Sequence, residues 1–143
     1  MAYQARRSAV LIEDIELINK NNEVEKVIHV EFNADAMARE FNAARNGIIR
    51  AQREVDKGEV SDKYTTFGEA VIEIFRVVFG EENTREIIGF YENNYLEMVS
   101  ELMPFITDVA APAVQQAVDA KKQQLANNYK FNRRERRKIG LLR

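Results

Sequence analysis

VEKVIHVEFNADAMAREFNAARNGIIRAQREV, residues 24–55, changes its hydrophobic period once, at Asn33. Before Asn33 the chain alternates. Val24, Lys26, Ile28, Val30 and Phe32 share one side, while Glu25, Val27, His29 and Glu31 share the other, which is the period of a β-strand. After Asn33 the apolar residues Met37, Phe41, Ala44, Ile48, Ala51 and Val55 recur every three or four residues, the one-sided stripe of an amphipathic helix. Asn33 is a suitable cap, Asp35 suits the first turn, and Gly58 suits the end of a helix over 34–57. Gly47 lies inside that helix, where glycine costs about 1 kcal/mol against alanine. It marks close packing or a bend.

Upstream, AVLIEDIELI (residues 9–18) is rich in β-branched residues, and Asn19-Lys20-Asn21-Asn22 is polar and tolerant of positive φ. The two strands predict a β-hairpin over 9–32. A lone hairpin is marginal in water, so its apolar face must pack on the helices or on another copy.

Downstream, Thr66-x-x-Glu69 reads as a capping box for a helix over 66–79, with Val71, Ile74, Phe75, Val78 and Phe79 on its apolar face. Asn83-x-x-Glu86 reads as the start of a helix over 83–103, which Asn93-Asn94 could divide. Pro104 disfavours helix at Met103 and predicts a stop there. A last helix over 105–129, bent at Pro112, would carry Phe105, Ile106, Val109, Ala113, Ala117, Leu125 and Tyr129. The expected fold is α+β, mainly α: a hairpin, four or so helices in one domain over 1–129, and a flexible basic tail over 130–143.

Residues 130–143 hold seven cations against Glu135, about +6, so residues 1–129 carry about −8 of the total −2. An acidic body with a basic end suggests an attachment point and not an active site. The chain has no cysteine, which excludes disulfides and thiolate chemistry. The apolar run after Arg6 and Arg7 is broken by Glu13 and Asp14, too early for a signal-peptide core, and no apolar stretch approaches a membrane span.

Reactive constellations are sparse. His29 is the single histidine, and Glu31 lies two residues on, on the same side of the strand. It reads as a half-exposed strand residue; a metal site would want further ligands, and the other alternative is a pH switch. Ser8, Ser61 and Ser100 have no base beside them, and the scattered glycines open no phosphate loop. No catalytic residue, metal ligand or cofactor site is expected. Arg133-Arg134-Glu135-Arg136-Arg137-Lys138 could neutralise phosphates, but the acidic body would repel a polyanion. Tyr91, Tyr95 and Phe105 read either as helical core or as a groove for an amphipathic partner helix.

Three stretches carry a resemblance: Phe79-Gly80-Glu81-Glu82-Asn83, Phe90-Tyr91-Glu92-Asn93-Asn94-Tyr95, and Met103-Pro104-Phe105-Ile106. With the β segment before them and the Lys/Arg-rich end, they resemble the tail assembly chaperones of long-tailed (siphovirus-type) phages and prophages of Gram-positive bacteria. The resemblance spans about 24–138 and has no catalytic signature. It implies a non-enzymatic protein of the host bacterial cytoplasm, absent from the mature virion. Such a protein binds the helical tape measure protein, keeps it soluble and helps recruit tail tube subunits. In many relatives a ribosomal frameshift adds a second domain. The candidate partner-binding residues are Tyr91, Tyr95, Phe105 and Ile106, with Arg133, Arg134, Arg136, Arg137 and Lys138 in the tail. A homo-oligomer is expected through the hairpin edge. The alternative is a small nucleic-acid-binding regulator acting through the basic tail.

Overall fold

Asn33 separates strand from helix as the change of period requires. The computed structural model describes residues 2–5, 10–58 and 63–141, with the backbone alone at 63–64 and 130–141. Its elements are strands β1 (Leu11–Ile18) and β2 (Val24–Phe32), then helices α1 (Ala38–Asp56), α2 (Lys63–Phe79), α3 (Glu81–Phe90) and α4 (Tyr95–Phe105). A π-turn (Ile106–Ala110) then leads into α5 (Ala111–Leu141). The chain is therefore mainly α with an N-terminal hairpin.

β1 and β2 pair antiparallel, with Leu11 opposite Phe32, Ile15 opposite Ile28 and a bulge at Leu17/Ile18. The turn forms because the Asn19 side chain accepts the amides of Asn21 and Glu23 at 2.9 and 3.1 Å. Asn22 takes φ 60°, where asparagine is tolerated. Leu17, Ile28, Val30 and Phe32 are buried on the inner face of the hairpin.

α1 buries Phe41 and Ala51 and half-buries Ala44, Ile48 and Val55, with Met37 half-buried just before it, so the whole predicted stripe faces inward. Asn33 accepts the Ala36 amide at 3.0 Å, but it caps a turn over 34–37 that precedes the helix. Nothing lies within 4 Å of a Cβ built on Gly47, so close packing does not explain this glycine. Gly47→Ala is expected to add about 0.5–1 kcal/mol of stability, read as a higher unfolding midpoint.

α2 is the central element, touching α1, α3, α4 and β2. Val71, Ile74, Phe75, Val78 and Phe79 are all buried, as the sequence predicts. The helix starts at Lys63, however, so Thr66 is an interior residue and does not cap it. Asn83 does not cap α3 either, because that helix starts at Glu81 behind Gly80. Asn83 Nδ2 donates to the carbonyls of His29 (2.9 Å) and Phe79 (3.0 Å), tying α3 to β2. Buried Thr84 donates its hydroxyl to the Gly80 carbonyl at 2.7 Å, so its polar atom is satisfied.

The predicted helix over 83–103 is two helices. α3 closes in a Schellman arrangement: Asn93 N–H reaches the Ile88 carbonyl and Glu92 N–H the Gly89 carbonyl. Glu92 holds φ 53° and Asn93 φ 64°. Glycine usually fills the Glu92 position, and a Cβ there costs about 1–2 kcal/mol. Glu92→Gly is expected to stabilise the fold by about 1 kcal/mol in denaturant titration, a net gain after the extra chain entropy of glycine. Asn94 then caps α4, accepting the Glu97 amide at 3.2 Å and donating to the Glu97 carboxylate at 3.1 Å.

Pro104 does not stop the chain, contrary to the expectation of a break between 103 and 105. α4 runs through it to Phe105 and passes into the π-turn, where Ala111 N–H bonds back five residues to Ile106. The Thr107 hydroxyl donates to the Met103 and Pro104 carbonyls, both at 3.3 Å, at the entry to the wide turn. The wide turn has a packing reason. Met98, Leu102, Ile106, Ala110 and Val114 are all buried at a strict spacing of four. On an α-helix each such step drifts about 40° round the axis. A turn closed over five residues winds more slowly and takes back part of that drift. The buried row therefore stays against the core.

The predicted last helix ends at 129, whereas the backbone of α5 stays helical to Leu141. No glycine or proline interrupts it between Pro112 and Gly140, and cations near a helix C-terminus favour its dipole. The expected flexibility of the basic tail concerns side chains, and residues 142–143, that lie outside the described residues.

Candidate functional site

Of the named aromatics, Tyr91 and Tyr95 stand at the α3–α4 break and Phe105 at the other end of α4, about 15 Å along the helix axis. Tyr91 and Tyr95 are half-buried on either side of the α3–α4 break. The Tyr91 ring stands edge-on to Phe90, with centroids 4.9 Å apart. Partial burial pushes its hydroxyl above the usual tyrosine pKa, with Glu101 and Glu97 adding to the rise. Tyr95 packs onto α2, its Cγ 3.6 Å from where a Gly68 Cβ would stand. Phe105 is half-buried, 5.7 Å from the Phe79 ring. Ile106 is 2% exposed and belongs to the core row, so it offers no surface in this structure. Arg133, Arg134, Arg136, Arg137 and Lys138 lie on the α5 backbone, and their side chains fall outside the described residues. The structure thus gathers the aromatics with the core and places the cations at the far end of a separate helix.

The larger exposed apolar features lie elsewhere. From Asp119 to Tyr129 every residue of α5 is exposed, although side chains as far as Gln124 still line a groove beside the body. Leu125 and Tyr129, four residues apart on one face, are 69% and 67% exposed. Leu96, at the start of α4, is 72% exposed. The sequence shows Leu125 and Tyr129 as helix residues; the signal of their exposure is the thinning of apolar residues after Val118. A groove of about 510 Å³ runs between α5 and the residues flanking the hairpin, lined in part by Leu11, Ala34, Ala113 and Ala117. Lys121 approaches Asp35 at 3.7 Å across it.

The outer face of the hairpin carries the other cluster. His29 lies cross-strand from Asp14. Its Nδ1 is 2.7 Å from Asp14 Oδ1 and its Nε2 3.1 Å from Glu31 Oε1. These hydrogen bonds, to Asp14 first and then Glu31, raise the imidazole pKa above its usual value against a smaller lowering by desolvation. The proton is bound more tightly in the folded state. The resulting stabilisation is complete below pH 6.5 and is lost as pH rises through the higher folded-state value. NMR titration should find His29 above 6.5, and Asp14→Asn should move it down; an unshifted imidazole in the wild type would contradict the geometry.

Among the described residues no group of three or more His, Asp or Glu is arranged to hold a metal ion. No helix among them is long and apolar enough to cross a membrane. Every buried side-chain polar atom described has a hydrogen-bond partner. No protein-family model matches the chain, and neither does any curated protein or solved structure.

Proposed function

We propose that this chain is a tail assembly chaperone of a long-tailed phage or prophage, acting by non-covalent cover of a tape measure protein. The observation that carries the reading is α5, a helix that stands out from the body with Leu125 and Tyr129 exposed on one face. A helix-in-groove or helix-on-helix contact needs such anchors, four residues apart. A tape measure helix presents long apolar stripes that must be covered until the tube encloses them. Many copies along one long ligand gain from avidity, so a modest affinity per copy suffices. Recruitment of tail tube subunits belongs to the same proposal, as does a place in the host cytoplasm and outside the mature virion.

Co-expression tests it. A tape measure fragment that precipitates alone should stay soluble with the full chain and co-elute with it. Leu125→Asp with Tyr129→Asp should abolish that protection while leaving the helical circular dichroism intact. A fragment that precipitates equally with and without the chain would sink the proposal. The charge of residues 130–143 favours a second reading, a nucleic-acid-binding regulator. Under it, deleting 130–143 would remove a DNA or RNA affinity that falls steeply with salt.

A further inference from the structure

We infer that the outer face of the hairpin receives the basic end of α5 from a second copy of the chain. The inference rests on charge and exposure and does not depend on the tape measure reading.

The hairpin forms a two-stranded sheet, and only its inner face meets the core. On the outer face the cross-strand pairs are Ile12 with Glu31, Asp14 with His29 and Glu16 with Val27. Ile12 is 58% exposed and Val27 53% exposed. Asp14, Glu16 and Glu31 set three negative charges round these two apolar side chains, with His29 as the single base. The surface is apolar and acidic together. Its fitting occupant is basic and carries apolar residues.

The chain itself contains such a segment. Residues 130–143 combine about +6 with Phe131, Ile139, Leu141 and Leu142. The segment is carried away from its own body. Gln124 is the last α5 residue lining the groove beside the hairpin, and the helix continues to Leu141, roughly 25 Å further at 1.5 Å per residue. With no proline or glycine before Gly140, the helix has no break at which to fold back. The acidic face and the basic end therefore meet only between copies. Symmetric pairing of two β1 edges is the weaker arrangement, because Glu13, Asp14 and Glu16 would face their own counterparts. The contact joins two different surfaces, so it is head-to-tail and builds rings or filaments.

Sedimentation of the full chain, freed of nucleic acid, tests this. At low salt the wild type should run as species heavier than the 16.5 kDa monomer, and at about 0.5 M salt it should shift toward monomer. Asp14→Lys, Glu16→Lys and Glu31→Lys together should weaken self-association at least about tenfold. Arg133→Glu, Arg134→Glu and Arg137→Glu together should do the same. Mixing the two variants should restore assembly, because each now supplies the complement the other lacks. Should the hairpin triple variant unfold, exposed Glu16→Lys alone must still weaken association. A wild type that stays monomeric at low salt overturns the inference, as does a mixture that stays monomeric. So does association untouched by hairpin reversal, or mass that vanishes with nuclease treatment, which assigns the cations to a polyanion.

Discussion

Phe75→Ala is expected to destabilise the fold by about 3–5 kcal/mol, the range for removing a fully buried phenylalanine. Phe75 has no solvent exposure, and its ring meets Phe79 edge-on at 5.2 Å. Phe79 in turn contacts Phe105 at 5.7 Å, so one truncation loosens a row that links α2 to the end of α4. α2 also holds α1, α3 and β2, and little space is open to collapse into the cavity without moving one of them. A domain of this kind has about 5–15 kcal/mol in total, so the variant should unfold well below the wild-type denaturant midpoint. A loss under about 1 kcal/mol would mean that α2 is not central.

Ile28→Asn should cost on the order of 4 kcal/mol, while Val27→Asn one residue earlier should cost under about 1 kcal/mol. Ile28 is fully buried on the inner face, and Val27 stands on the outer face. The amide placed at position 28 would lose its water, and the apolar contacts of isoleucine would vanish. Two strands do not hold together without a covered face. The hairpin should therefore leave the helices, and hydrogen exchange of the β1 and β2 amides should rise together. Reversed effects at the two positions would mean a register shifted by one residue.

Much of this was legible in the residues. The alternation of 24–32 and the asparagine turn place both strands within two residues of where they stand. The α1 stripe and the apolar face of α2 point inward throughout. What escaped depends on tertiary approach. Asn83 resembles a cap in sequence, but β2 comes close enough for it to bind the His29 carbonyl instead. Pro104 reads as a stop because local rules carry no knowledge of the core row. The strict spacing of four from Met98 to Val114 was the available signal that the chain would continue. For the candidate surface the legible part was charge: the basic end was plain, and so was the acidity of the body. Exposure was not legible. Leu125 and Tyr129 share a helical period with buried Val114, and only the place where the body ends distinguishes them.

The five-residue turn at Ile106–Ala110 also acts as a phase adjuster between two stretches of one long rod. Excising a single residue there would let ordinary winding resume, and because the wide turn already absorbs one extra residue, the helix beyond it would keep nearly the same heading. Tyr95–Phe105 would keep its seat, and Leu125 and Tyr129 would keep their quadrant. One residue lost from the regular stretch between Ala111 and Leu125 would instead turn the outer arm by about 100°.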